Sequence, residues 1–84
     1  MATDHPQIES AKAAYIQANL DLRSARAKHR LIKTEESAQA VRRAEQREGL
    51  ALGAWERVAT ELGDAEDRLA VKVYTDLRLG PGTP

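Results

Sequence analysis

The stretch that decides the fold of this chain is residues 8–32, IESAKAAYIQANLDLRSARAKHRLI, which contains no glycine and no proline. Its apolar residues recur three and four positions apart, a spacing that places side chains on one face of an α-helix. The proline-free, alanine-rich character extends from residue 7 to residue 79. One continuous helix of that length would span about 110 Å and could not bury its own apolar face. We therefore expect an all-α protein that folds back on itself, associates, or does both.

The composition narrows the class of protein. Eighty-four residues make one domain, near the lower limit for a self-sufficient core. The chain has 13 lysine plus arginine residues and 13 aspartate plus glutamate residues, so its formal net charge is zero. The net charge therefore does not favour nucleic acid or a membrane surface as a partner. Cysteine is absent, and we find neither a signal peptide nor an apolar run of the ~20 residues that a membrane span needs. We expect a cytoplasmic protein, and the excess of arginine over lysine suggests a bacterial or phage genome.

The pattern predicts two unequal helices, over about residues 5–48 and 54–78. A turn at residues 49–53 joins them, because Gly49 can adopt the left-handed conformation that often ends a helix. A flexible tail follows at residues 80–84, where glycine and proline prevent any continuation. The resulting fold is a long antiparallel helical hairpin, similar to a coiled coil. In this arrangement the N-terminal third of the first helix has no intramolecular neighbour.

An alternative is a three-helix bundle with a break at Thr34, which could cap a new helix beginning with two glutamates. A second candidate break is Gly63–Asp64, where Asp64 could cap a final helix. Asp4 is expected to cap the first helix, with Pro6 in its first turn. The long hairpin does not bring Tyr15 of the first helix and Tyr74 of the second together.

The first helix carries two apolar stripes on nearly opposite faces, whereas the second helix carries one. The first stripe comprises Ile8, Ala11, Tyr15, Ala18, Leu22, Ala25, His29 and Ile32. The second comprises Ile16, Leu20, Ala27, Leu31 and Ala38. The stripe of the second helix comprises Ala51, Trp55, Val58, Leu62, Ala65, Leu69, Val73 and Leu77. Trp55 with Leu62 and Leu69 could form an exposed docking anchor, but we favour Trp55 as the large residue that fills the core of the hairpin. One single-sided helix cannot cover two stripes, so we expect self-association into a bundle of about four helices.

These considerations favour a non-catalytic protein–protein interaction module, working as a small adaptor, an assembly component or an inhibitor. It would present a helix face to a protein partner. The predicted protein interface is the unpaired part of the first stripe, consisting of Ile8, Tyr15, Leu22, His29 and Ile32. A phage-encoded virion component or an inhibitor of a host system would use the same surface.

A second function class is a dimeric hairpin that binds RNA or DNA through a basic ridge along the first helix. The ridge comprises Lys12, Arg23, Arg26, Arg30 and Lys33. Such side chains could neutralise successive phosphates, and binding would then depend steeply on salt. They could instead pair with the acidic residues of the second helix, Glu56, Glu61, Asp64 and Asp67. A break at Thr34 would remove the unpaired face and leave the ridge as the leading candidate.

We predict no catalytic, cofactor-binding or metal-binding residues. The serines lack a glycine-rich nucleophile elbow, and no glycine-rich phosphate loop is present. The two histidines, His5 and His29, have no glutamate or histidine at the helical offset of a metal site. The sequence therefore indicates a protein that works by contact.

Overall fold

A computed structural model describes residues 5–79 of the chain, and these residues form three α-helices. They are α1 (Pro6–Leu31), α2 (Glu35–Leu62) and α3 (Ala65–Leu79). The prediction of an all-α fold is confirmed. The proposed Asp4 cap and the predicted tail at residues 80–84 lie outside the described residues. None of the three helices, over the part of the chain that is described, is long and apolar enough to cross a membrane.

The predicted turn at residues 49–53 is wrong, because these residues lie inside α2. The chain breaks instead at Thr34, as in the alternative three-helix arrangement. There the Thr34 hydroxyl accepts a hydrogen bond from the Ser37 backbone N–H, and the Ser37 hydroxyl accepts one from the Thr34 N–H, both at 3.1 Å. This reciprocal cap satisfies backbone donors that a helix start otherwise leaves unpaired. A glycine inside a helix costs only about 1 kcal/mol, so Gly49 does not by itself end α2.

The second break lies at Gly63, as the sequence allowed. Gly63 adopts a left-handed conformation with φ of 68°. Two backbone bonds close the end of α2, from the Gly63 N–H to Thr60 and from the Asp64 N–H to Ala59. The Asp64 carboxylate then accepts a hydrogen bond from the Asp67 backbone N–H at 3.0 Å and caps α3.

Helices α1 and α2 pack antiparallel along their full length. His29 contacts Ser37 near the Thr34 turn, Arg26 pairs with Glu45 further along, and Tyr15 stacks with Trp55 near the far end. Residues that come earlier in α1 therefore lie opposite residues that come later in α2, as in an antiparallel pair. Helix α3 packs against α2.

The core lies at the end of the hairpin away from Thr34 and is built from all three helices. Its buried apolar residues are Ile8, Tyr15, Leu52, Trp55 and Val71. Trp55 is fully buried, as predicted, and its indole N–H has no hydrogen-bond partner in the described structure. The ring is therefore held by packing alone and carries the desolvation cost of an unpaired donor, about 1–3 kcal/mol.

Three aromatic rings, one from each helix, join the elements together. The ring centroids of Tyr15 and Trp55 are 5.7 Å apart, those of Tyr15 and Tyr74 are 5.2 Å apart, and those of Trp55 and Tyr74 are 5.9 Å apart. All three pairs are tilted, an arrangement that adds to simple area burial. The meeting of Tyr15 with Tyr74 corrects the two-helix prediction, because the break at Gly63 lets α3 reach α1.

Candidate functional site

The predicted protein interface does not form an open surface. Ile8, Tyr15 and Leu22 are buried within the chain, His29 is half-buried and Ile32 is exposed beside the turn. The physical reason is the position of the break, since a turn at Thr34 lets α2 pack against the face of α1 that carries these three residues. A partner could reach the three buried side chains only if the hairpin opened. Self-association of the chain stays a prediction, but the predicted interface on α1 is not an exposed surface that could support it.

His29 and Ser37 instead brace the turn. The His29 Nδ1 lies 2.6 Å from the Ser37 hydroxyl oxygen, and that hydroxyl also contacts the carbonyl oxygens of Ile32 and Thr34 at 2.6 and 2.9 Å. Ser37 is buried at this point. The predicted interface histidine thus has a structural partner inside the chain.

The basic ridge lies on α1 and in the turn. Arg23, Arg26, Arg30 and Lys33 are exposed, and Lys12 is half-buried. Arg26 pairs with Glu45 at 3.3 Å, with each side chain about half exposed. The acidic partners predicted for the ridge lie further along the chain, at residues 56–67. The antiparallel register places Glu45 opposite Arg26 instead.

A groove of about 460 Å³ lies between α1, α2 and the C-terminal part of α3. Arg23 and Arg26 line it on one side, and Glu45 and Glu48 line it on the other. Glu48 is almost fully buried. Because two arginines face two glutamates, the groove has balanced charge and does not concentrate polyanions as an unopposed basic ridge would.

A different surface is conspicuous on α3. Leu69, Val73 and Leu77 are 64%, 49% and 65% exposed, and they follow one another at four-residue spacing along one side of the helix. Val71, on the other side of α3, is buried in the core. We call Leu69, Val73 and Leu77 the α3 stripe. Large aliphatic side chains that are exposed in a row indicate a contact surface more strongly than scattered ones do.

The prediction put these three residues on one stripe with Trp55, but Trp55 is buried and the three residues are exposed. It assumed one continuous helical phase from Trp55 to Leu77. The left-handed Gly63 interrupts that phase, so α3 turns Val71 and Tyr74 towards the hairpin and leaves the stripe exposed, with Leu77 also bordering the groove between the three helices. The only sequence signal for this outcome was the Gly63–Asp64 break.

Other exposed apolar residues are less organised. On the second predicted stripe of α1, Ile16 and Leu20 are about half exposed and Leu31 is 86% exposed, so its large residues also lie at the surface. Leu50 is 75% exposed on α2 and is separated in sequence from both groups. Ile16 and Leu20 form a pair rather than a row of three, and single exposed residues such as Leu50 are common on protein surfaces.

Comparison with protein-family models, with curated proteins and with solved structures found no match for this chain. Within residues 5–79, no group of three or more histidine, aspartate or glutamate side chains is placed to hold a metal ion. The candidate functional site is therefore defined by its surface chemistry.

Proposed function

We propose that this protein works by non-catalytic protein–protein contact in the cytoplasm, as a small adaptor, assembly component or inhibitor. The observation that carries the proposal is the α3 stripe. Three aliphatic side chains in a row stay exposed on a helix whose opposite side already packs in the core. The α3 stripe replaces the predicted interface on α1, of which Ile8, Tyr15 and Leu22 are buried.

The spacing of the α3 stripe suits recognition of one helix by a groove or by another helix. Such recognition uses side chains three or four residues apart as anchors. Complete burial of a large aliphatic side chain contributes roughly 1.5–3 kcal/mol. Since Val73 is about half exposed and the two leucines are about two-thirds exposed, a partner would gain roughly half to two-thirds of that from each. Contact through this surface should accordingly be reversible and only weakly dependent on salt.

The proposal is tested with a photo-crosslinking amino acid at position 73, in the middle of the stripe. The control carries the same group at position 50 on α2, where Leu50 is 75% exposed against 49% for Val73, so lower accessibility cannot explain a missing product there. In the cells that produce the protein, we expect a discrete cross-linked protein from position 73 and none from position 50. Binding of that protein, once purified, should weaken by about tenfold or more when Leu69→Ser and Leu77→Ser are combined.

Two results would contradict the proposal. One is the absence of any specific product from position 73. The other is a product whose binding is weakened equally by Leu50→Ser and by the paired substitutions in the stripe. In either case the exposed row would have no role in recognition.

Nucleic-acid binding through the basic ridge is the second candidate, and the exposure of Arg23, Arg30 and Lys33 favours it. The pairing of Arg26 with Glu45 and the glutamates of the neighbouring groove weaken it. A strong loss of affinity for RNA or DNA with rising salt would support this candidate over the α3 stripe. A virion component or an inhibitor of a host system would be a form of the first proposal, since it would use the same stripe.

A further inference from the structure

We infer that the partner of the α3 stripe is a second copy of this chain, with the two α3 helices packed antiparallel across a two-fold axis at Val73. The inference rests on the proposed function, because it assigns an occupant to the same surface. The inferred contact places the predicted self-association on α3 and not at the predicted interface on α1.

The stripe is symmetric about Val73. Leu69 lies four residues before it and Leu77 four residues after it, and both are about two-thirds exposed. A two-fold axis perpendicular to α3 at Val73 therefore places Leu69 of one copy against Leu77 of the other, twice. Val73 meets its own counterpart at the centre. Self-complementarity of this kind is what an interface between identical chains with two-fold symmetry requires.

The charged residues beside the stripe are also self-complementary. Lys72 and Asp76 are both exposed, and at about 100° per residue they fall on the same side of the stripe. Along the axis, Lys72 lies ~1.5 Å before Val73 and Asp76 lies ~4.5 Å after it. Reversal of the second copy brings its Asp76 within about 3 Å, along the axis, of the level of Lys72. The two-fold axis creates this pair of opposite charges twice.

Lys72 and Asp76 are also one helical turn apart within a single α3, where they can attract each other without any partner. The decisive test must therefore separate attraction between copies from attraction within one helix. Substitution of one residue in each of two different chains achieves this, because an intrahelical pair cannot be restored by mixing chains.

The size of the contact sets the strength to expect. Stable complexes typically bury about 800 Å² per partner, contributed by some 20–30 residues. Three stripe residues and two flanking charges are fewer than that. We expect a reversible equilibrium between monomer and dimer, which shifts towards monomer on dilution without loss of helicity.

The first experiment is sedimentation velocity across a hundredfold dilution, with circular dichroism followed in parallel. The unaltered chain should show a concentration-dependent dimer. The paired substitutions Leu69→Ser and Leu77→Ser should raise the dimer dissociation constant roughly tenfold or more, whereas Leu50→Ser should leave it unchanged. All three proteins should retain the same helicity, because the substituted side chains are exposed.

The second experiment exchanges charge. Lys72→Asp alone and Asp76→Lys alone should each weaken the homodimer several-fold at low salt, because each creates two like-charge contacts. A 1:1 mixture of the two variants should form a heterodimer at least as strong as the original dimer. In that mixture one copy carries only acidic groups at these positions and the other carries only basic groups.

A monomer at every concentration would overturn the inference, and so would a dimer that is insensitive to both sets of substitutions. If the chain is monomeric while position 73 cross-links to a different protein, the second-copy inference fails and the proposed function stands. If neither a dimer nor a specific cross-link is found, both fail. A third outcome is that each single charge variant weakens the dimer but their 1:1 mixture does not restore it. Lys72 and Asp76 would then attract each other within one helix, and the proposed antiparallel register would be wrong.

Discussion

At the scale of single residues, the Ser37 hydroxyl organises the turn that sets the fold. Four polar atoms surround it: the His29 Nδ1, the carbonyl oxygens of Ile32 and Thr34, and the Thr34 N–H. A hydroxyl has one hydrogen to donate and two lone pairs to accept with. Donation to the carbonyls and acceptance from the Thr34 N–H leave one lone pair for His29. With the hydroxyl hydrogen directed at the carbonyls, the His29 Nδ1 carries a hydrogen and donates it.

This bonding pattern predicts that neutral His29 is the Nδ1–H tautomer, with Nε2 unprotonated. Nitrogen chemical shifts of the imidazole ring distinguish the two tautomers directly. Ser37→Ala removes the cap and orphans the histidine donor, so we expect it to lower the free energy of unfolding by about 1–2 kcal/mol in urea titrations. Ser24→Ala, at an exposed site on α1, is the matched control and should change stability little. An Nε2–H tautomer, or equal effects of the two substitutions, would contradict this account of the turn.

At the scale of the helices, two glycines have opposite roles. Gly63 has φ of 68° and ends α2, whereas Gly53 lies inside α2. Neither has an atom within 4 Å of the place where a Cβ would be added. An alanine would therefore meet no steric obstacle at either position, and only backbone conformation separates the two sites.

We predict that Gly63→Ala destabilises the protein by about 1–2 kcal/mol, since a side chain is disfavoured in the left-handed region. Gly53→Ala should stabilise it by about 0.5–1 kcal/mol, because alanine loses less backbone entropy in a helix. Thermal or urea unfolding of the two variants measures the difference. The pair also tests the position of the turn: a chain that reversed at residues 49–53 would not gain stability from Gly53→Ala.

At the scale of the whole molecule, α3 is the least firmly held element. The packing between α1 and α2 is extensive, while that between α2 and α3 is much smaller. Val71 is buried in the core, and Tyr74 reaches both Tyr15 and Trp55 but remains partly exposed. Elements with few buried apolar contacts open at lower free energy than the core does.

Native-state hydrogen exchange should therefore show α3 opening before α1 and α2. Tyr74→Ala should lower the opening free energy of α3 by about 1–2 kcal/mol, since the ring is partly exposed and its aromatic contacts are modest in energy. Protection of α1 and α2 should change little. Tyr15→Ala, in the buried core, should instead lower the protection of all three helices. Uniform loss of protection in the Tyr74→Ala protein would mean that the three helices unfold as one unit.

The sequence by itself determined that the chain is all-α, that Trp55 belongs to the core and that Gly63–Asp64 can end one helix and begin another. These follow from periodicity, from side-chain volume and from local backbone preferences, which act over a few residues. The turn at Thr34 was recognisable only as an alternative, because glycine dominates the signal for helix ends and a reciprocal Thr34–Ser37 cap is a weaker one. The sequence favoured a turn at Gly49, but packing against α1 keeps this part of the chain helical within α2.

Only the tertiary structure decided which apolar residues are covered. Ile8, Tyr15 and Leu22 were expected at an interface but are buried, whereas Leu69, Val73 and Leu77 were expected on one stripe with the buried Trp55 but are exposed. The physical reason is that the spacing of apolar residues shows which side chains share one face of a helix, but not whether that face packs against another helix or is exposed to solvent. That depends on the register of α1 against α2 and on the change of helical phase at Gly63, both of which are set by contacts between residues distant in sequence.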